Sequence, residues 1–111
     1  MSEVMLVALR RRVGLGREAF LTHWRDTHAP LVRGLASDLG IERYVQLHPD
    51  AGAEAAWDGV AVVSFRSRAD LERRLATPAG RSAARQLRSD EARFLDTAAS
   101  ITWWGSEHPI F

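Results

Sequence analysis

The chain has 111 residues, of which 46% are hydrophobic and 26% are charged, and its formal net charge is +1. This length predicts one domain spanning residues 1–111, and the balanced charge argues against a nucleic-acid partner. All 15 basic residues are arginine and cysteine is absent, which excludes lysine Schiff bases, thiol nucleophiles, thiolate metal sites and disulfides. No segment has the apolar length of a membrane span, so we expect a cytoplasmic protein with no membrane partner.

The first half of the chain alternates between strand and helix patterns. The apolar run at residues 4–9 predicts a strand, and residues 17–36 have helical periodicity. Pro30 lies inside that helix and predicts a kink or a restart at residues 28–30, because proline lacks an amide proton. Residues 41–48 alternate between apolar and polar and predict a second strand, and residues 59–65 predict a third.

In the second half, Ser67 is the predicted N-cap of a helix that ends at residue 75. Pro78 suits the first turn of a further helix to about residue 95, and residues 99–104 predict the fourth strand. The order β-α-β-β-α-β predicts an α+β, ferredoxin-like fold: an antiparallel four-stranded sheet with helices on one face.

The first, third and fourth predicted strands are apolar on both faces, although the helices can cover only one of them. A second copy of the chain is the expected cover for the other face, which predicts a homodimer. We expect Val63 and Trp104 to lie on that second face.

Two histidines, His23 and His28, lie five residues apart in the first helix. On a regular α-helix they are separated by about 140° and should flank its apolar stripe on opposite sides. This spacing does not suit a helical metal pair, so no metal site is predicted. His28, beside the proline, is either an acid/base in an apolar pocket or a structural residue bonded to a freed carbonyl. Asp26 is a candidate partner for His23, unless it pairs with Arg25 or Arg33.

Aromatic residues are numerous and have two interpretations. They form either the wall of a site for a flat hydrophobic ligand or the core and the dimer interface. Trp103 and Trp104 are adjacent on a predicted strand, so they should point to opposite faces of the sheet. The candidate ligand-binding residues are Trp24, Leu31, Tyr44, His48, Phe65 and Trp103.

Several stretches together resemble one known family. The segment from Gly14 to Phe20, the pair His23 and Trp24, and the HAPLV stretch at residues 28–32 resemble the signature of the EthD family. Residues 41–46, residues 57–61 and the DE-x-x-F-x-D stretch at residues 90–96 agree with it. The resemblance implies a dimeric α+β barrel with His28 as the motif histidine and His23 as its second polar group.

The chain departs from the family pattern on the third strand. The family often has an acidic residue and an aromatic residue there, whereas this chain has Val62 and Ser64. A mechanism that takes its carboxylate from this strand is therefore weakened.

The resemblance also implies a class of function, since the superfamily includes cofactor-independent polyketide cyclases and small monooxygenases. The first hypothesis is an enzyme without a cofactor that acts on an aromatic or polyketide-like substrate. It would catalyse cyclisation, decarboxylation or oxygenation with His28 as acid/base. The alternatives are a non-catalytic dimeric binder or accessory protein for a hydrophobic intermediate, and a degenerate member that only dimerises. A pH-dependent rate that is lost in His28→Ala distinguishes the enzyme from the binder.

Overall fold

The computed structural model describes residues 3–111. Among these residues, no helix has both the length and the apolar character needed to cross a membrane. Four strands, four α-helices and one π-helical turn follow in this order: β1 (Glu3–Leu9), α1 (Arg17–His23), the π turn (Trp24–His28), α2 (Ala29–Leu39), β2 (Ile41–Leu47), β3 (Gly59–Phe65), α3 (Arg68–Leu75), α4 (Pro78–Phe94) and β4 (Ile101–Ser106).

The four strands form one sheet in the order β2-β3-β1-β4, and every neighbouring pair is antiparallel. The predicted ferredoxin-like α+β fold is confirmed. The third strand has its predicted bounds. The fourth begins at Ile101, two residues later than expected, because residues 97–99 form a turn in which Asp96 accepts from the amide of Ala99.

The helix boundaries follow from local capping. The Ser67 side chain accepts a hydrogen bond from the amide of Asp70 at 3.0 Å, and Thr77 caps α4 through the amide of Gly80 at 3.0 Å. At its other end, α2 stops at Gly40, whose φ of 71° lies in the left-handed region that glycine tolerates. The predicted capping residue Ser67 is therefore confirmed.

The predicted break at the proline takes the form of a π turn. The helix widens from Trp24 onwards, and α2 begins at Ala29 with Pro30 in its first turn. Proline is tolerated there because the first amides of a helix have no partner within it. The irregularity thus starts four residues earlier than the 28–30 expected from the sequence.

The core lies between the helices and one face of the sheet. Its largest fully buried side chains are Phe20, Trp24 and Phe94. The ring of Phe20 lies 5.8 Å from that of Trp24 and 5.6 Å from that of Phe94, measured between centroids. These rings tie α1, the π turn and α4 together, next to the residues described below.

The opposite face of the sheet is largely apolar, and none of the described helices packs on it. We call its central line the outer row: directly paired residues Val45, Val62, Leu6 and Trp103, one from each strand. Trp103 is 57% exposed. The outer row is the free apolar surface that the strand patterns predicted.

Val63 and Trp104 were expected on this free face, and that expectation is wrong. Both belong to the inner face, because Val63 is buried beneath the helices and the Trp104 ring lies 5.4 Å from that of Phe65. Alternation in a sequence shows which residues share a face, but it does not show which face the helices cover.

Candidate functional site

A cavity of about 440 Å³ lies between the inner face of the sheet and the helices. An apolar cavity with a few polar groups is the usual form of a small-molecule site. The titratable side chains in its wall are His28, Tyr44, Arg88 and Glu91. Most of the wall is apolar, and it includes Met5, Val7, Leu9, Val32, Ile41, Ala61, Val63, Leu71, Leu75 and Leu87.

Two histidines share one carboxylate beside this cavity. Nδ1 of His28 lies 2.8 Å from Oδ2 of Asp90, and Nε2 of His23 lies 3.0 Å from Oδ1 of the same residue. His28 and Asp90 are both buried, and His28 contributes to the cavity wall. The Phe94 ring packs against both imidazoles, at centroid distances of 4.8 and 4.9 Å. The sequence places these groups on two separate helices, and the fold joins them.

The π turn explains how His23 and His28 meet. In a π-helix the amide of residue i+5 bonds the carbonyl of residue i, so five residues make little more than one turn. The two histidines therefore lie on one side of the helix, and the expectation that they flank it on opposite sides is wrong. Asp26 is not the partner of His23, because it forms two hydrogen bonds with Arg25, at 2.8 and 3.0 Å.

The shared carboxylate fixes the tautomer of each ring. An ionised carboxylate can only accept hydrogen bonds, so the proton lies on Nδ1 of His28 and on Nε2 of His23. Within residues 3–111 no hydrogen bond engages Nε2 of His28. Burial lowers the pKa of His28, and the hydrogen bond to Asp90 offsets this only in part. A neutral His28 thus holds a free lone pair on Nε2, as a general base requires.

Asp90 stays ionised despite its burial. Burial alone would raise its pKa, but the hydrogen bonds from His28 and His23 outweigh that effect and hold the pKa below its usual range. The carboxylate can therefore stabilise an imidazolium that forms when His28 takes a proton. Within the described chain, no group of three or more histidine, aspartate or glutamate residues is arranged to hold a metal ion.

A second polar network lies on the β2 side of the cavity. The Tyr44 hydroxyl accepts from Trp24 Nε1 and from Gln46 Nε2, each at 3.2 Å. Gln46 also donates to the carbonyl of Trp24 at 2.9 Å, and its own oxygen lies 2.8 Å from Nε2 of His48. His48 stacks on Trp24 with 4.6 Å between ring centroids. These contacts fix Trp24 and Tyr44 in place.

The candidate ligand-binding residues divide into two groups. Trp24, Tyr44 and Phe65 line the cavity with His28, so they are positioned to contact a ligand there. Their role in binding stays a prediction. Leu31, His48 and Trp103 lie outside the cavity wall. The His48 ring stacks on that of Trp24. Trp103 lies on the outer row, because its neighbour Trp104 occupies the inner face.

Sequence reasoning gave no role to Asp90, Glu91, Arg88 or Gln46. The signal for Asp90 was present, because Asp90 and Phe94 are four residues apart on α4 and therefore share one face. Val62 and Ser64 share the outer face of β3, away from the cavity, whereas the carboxylate beside His28 comes from α4.

Gly59 lies directly against Trp24, and a side chain there would clash. A Cβ atom on Gly59 would come within 2.5 Å of the Trp24 ring. We expect Gly59→Ala to destabilise the fold by about 1–3 kcal/mol, because the buried indole has no room to move. Gly105→Ala on β4 is the control, since a Cβ atom there meets nothing within 4 Å. Thermal unfolding of both variants checks this, and equal melting temperatures would contradict it.

A comparison with family models matches residues 12–98 to the EthD domain. No curated protein matches the chain. Solved structures share its fold at low identity. An EthD family protein from Bacillus halodurans C-125 has 17% identity and a TM-score of 0.69, with 97% of this chain and 100% of that chain covered.

Two further solved structures share the fold. A dimeric protein of unknown function and ferredoxin-like fold from Bacteroides fragilis NCTC 9343 has a TM-score of 0.64 and 13% identity, covering 96% of each chain. A point mutant of SnoaB, a cofactor-independent oxygenase from Streptomyces nogalater, has a TM-score of 0.54 and 21% identity. It covers 98% of this chain and 96% of its own. At these identities the likeness shows the fold.

Proposed function

This chain belongs to the EthD family, and from that membership we propose that it is an acid-base enzyme that uses no cofactor. Its substrate is an aromatic or polyketide-like hydrophobic compound, and His28 moves the proton. One observation carries the proposal: a buried histidine lines an apolar cavity, with Nδ1 held by a buried carboxylate and Nε2 without a hydrogen bond from the described residues. The same arrangement orients the catalytic histidine in other acid-base enzymes.

The proposed step is removal of a proton from carbon next to a carbonyl group. Nε2 of His28 takes the proton, and the electron pair of the C–H bond moves towards the carbonyl oxygen to give an enolate. Asp90 stabilises the imidazolium that results. Cyclisation and oxygenation of such substrates start from the enolate formed by this proton removal. Decarboxylation of a β-keto acid forms the same enolate by loss of CO₂, and protonated His28 then gives the carbon its proton, so one site supports any of them. The likeness to SnoaB, described as a cofactor-independent oxygenase, favours this class.

The test is deuterium exchange into 2-tetralone, an aromatic ketone with acidic C–H bonds, followed by NMR in D₂O. We expect the protein to accelerate exchange and His28→Ala to lower that rate by about 10²–10⁴-fold. His108→Ala is the matched control, because His108 is exposed in the C-terminal tail. Binding of 2-tetralone without His28-dependent exchange would favour the non-catalytic binder instead.

The pH profile gives a second test of His28. Its pKa is lowered, chiefly by burial, so the base form predominates at neutral pH. Loss of the base form of His28 should therefore lower the rate as the pH drops below the ordinary histidine range. A rate that keeps rising above pH 7 would identify a different base.

We also propose a homodimer in which the outer row meets its copy in the partner subunit. Its support is the exposed apolar face of the sheet, which no helix covers, and the description of the Bacteroides fragilis relative as dimeric.

A further inference from the structure

Helix α4 presents two adjacent carboxyl groups in different surroundings. Asp90 accepts hydrogen bonds from His23 and His28, whereas Glu91 contributes to the cavity wall beside Arg88. Successive residues of a helix point about 100° apart, so one carboxyl lies behind the histidines and the next reaches the cavity. The mechanism above uses Asp90 and leaves Glu91 without a role.

Glu91 has no partner that explains its position. Within residues 3–111 no hydrogen bond and no ion pair within 4.0 Å engages its carboxyl group, although Arg88 lies one helical turn away. Burial raises the pKa of Glu91, Asp90 adds to the increase, and Arg88 opposes it. The groups facing it from other elements are Tyr44 on β2 and His28 in the π turn, which line the same cavity. The negative charge of Glu91 in turn raises the pKa of Tyr44, after the larger effect of burial.

Tyr44 is a second donor in the wall of the same cavity. Its oxygen already accepts hydrogen bonds from Trp24 and from Gln46. A phenolic hydroxyl has one proton to donate, and no described residue accepts it. That proton is therefore available to a ligand in the cavity, like the proton of an un-ionised Glu91.

We propose that Glu91, as the carboxylic acid, and Tyr44 together bind the carbonyl oxygen of the substrate, while His28 acts on the adjacent carbon. This inference rests on the proposed function and adds a requirement to it: the substrate is an enolisable aromatic ketone whose oxygen accepts hydrogen bonds. An acid and a base in the wall of one cavity are the two groups that enolisation needs.

The step balances in protons and electrons. Nε2 of His28 takes the proton from carbon, and the C–H electron pair forms the new C=C bond. The carbonyl π pair moves to oxygen, which takes the proton of Glu91 to give the enol. The imidazolium is then paired with Asp90, and the new Glu91 carboxylate lies near Arg88. Return of both protons regenerates the ketone.

The first test needs no turnover. It compares 9-fluorenone with fluorene, flat molecules of nearly equal shape of which only the ketone has an acceptor oxygen. Equilibrium dialysis should show that the protein prefers the ketone by about five- to tenfold at acidic pH. The preference should fall as the pH rises through the raised pKa of Glu91. It should persist at all pH values in Glu91→Gln, which keeps an N–H donor, and fall in Glu91→Leu to the smaller preference that Tyr44 alone supports.

Glu72→Gln is the matched control, because Glu72 is exposed on α3, and it should bind both compounds as the unaltered protein does. Equal affinity of the unaltered protein for fluorenone and fluorene overturns the inference. So does a preference that Glu91→Leu leaves intact. If neither compound binds, the cavity is not a site for aromatic ketones, and the proposed function falls with the inference.

The second test separates the two proposals by deuterium exchange into 2-tetralone. Glu91→Gln should lower the exchange rate by about 10²-fold while 9-fluorenone binding persists, because the amide donates a hydrogen bond but cannot give up a proton. Exchange that depends on His28 but not on Glu91 overturns this inference alone. Exchange that depends on neither residue overturns the proposed function, and the dialysis result still decides whether Glu91 binds the oxygen.

Discussion

Replacing Asp90 with asparagine is expected to lower His28-dependent exchange by up to about 10⁴-fold, the loss seen when the carboxylate of a catalytic triad becomes an amide. The two Asp90 oxygens accept from His23 and from His28. An amide offers one oxygen and one NH₂ group, so one of the two imidazoles must accept instead of donate. When that imidazole is His28, its proton moves to Nε2 and the lone pair is lost.

The same substitution should also shift the pH profile. In the unaltered protein the Asp90 hydrogen bond and charge raise the pKa of His28 against the larger effect of burial. Without that charge the pKa falls further, so the acid limb of any remaining activity should move to lower pH. Asp90 should also contribute to stability. Because its pKa is lowered in the folded protein, this contribution is present above the pKa of the unfolded carboxyl group and is lost as the pH falls through the folded pKa.

Nitrogen-15 NMR of the imidazoles distinguishes the tautomers directly, and deuterium exchange into 2-tetralone measures the rate of proton removal. Asp38→Asn is the matched control, since Asp38 is exposed on α2. If Asp90→Asn keeps the proton of His28 on Nδ1 and yet loses the rate, the tautomer is not the cause. If it keeps both the tautomer and the rate, Asp90 is not a positioning residue.

Trp103→Asp should convert the proposed dimer to monomers. Trp103 is the exposed end of the outer row, and twofold symmetry would place the new charge in the interface twice. An uncompensated buried charge costs about 3–5 kcal/mol, which corresponds to at least a hundredfold weaker association. Val62→Asp, on the same row, should act in the same way.

Sedimentation velocity at several protein concentrations measures this effect. Val13→Asp provides the control, because Val13 is exposed in the loop before α1 and lies off the sheet. It should sediment as the unaltered protein does. A Trp103→Asp variant that remains dimeric places the interface elsewhere, and an unaltered protein that is monomeric removes the dimer altogether.

The sequence was a good guide to the fold because periodicity and capping are local. Ser67, Pro78 and the apolar strands mark their elements without reference to the rest of the chain. Which face of the sheet the helices cover is not determined by local sequence. Trp103 and Trp104 were predicted to point in opposite directions, but only the packing of the helices decides which of them is covered.

The candidate site was predicted in part, and the missing part has a physical cause. His28 was identified from its position beside Pro30 and from the resemblance to the EthD family. Its pairing with Asp90 links residues 62 positions apart, and no pattern along the chain reports such a contact. The pairing of His23 with the same carboxylate was not predicted, because a helical wheel at 100° per residue assumes a regular α-helix, whereas residues 24–28 form a π turn.

The π turn also determines how this chain should be aligned with its relatives. Two residues five apart across a π turn occupy nearly the positions of two residues four apart on an α-helix. A relative with one residue fewer between its two histidines can therefore keep the same pair of rings on a continuous α-helix. A single-residue gap between His23 and His28 is thus compatible with an intact site. A gap of three residues would leave the histidines two apart, on opposite sides of the helix, and turn one ring away from the carboxylate.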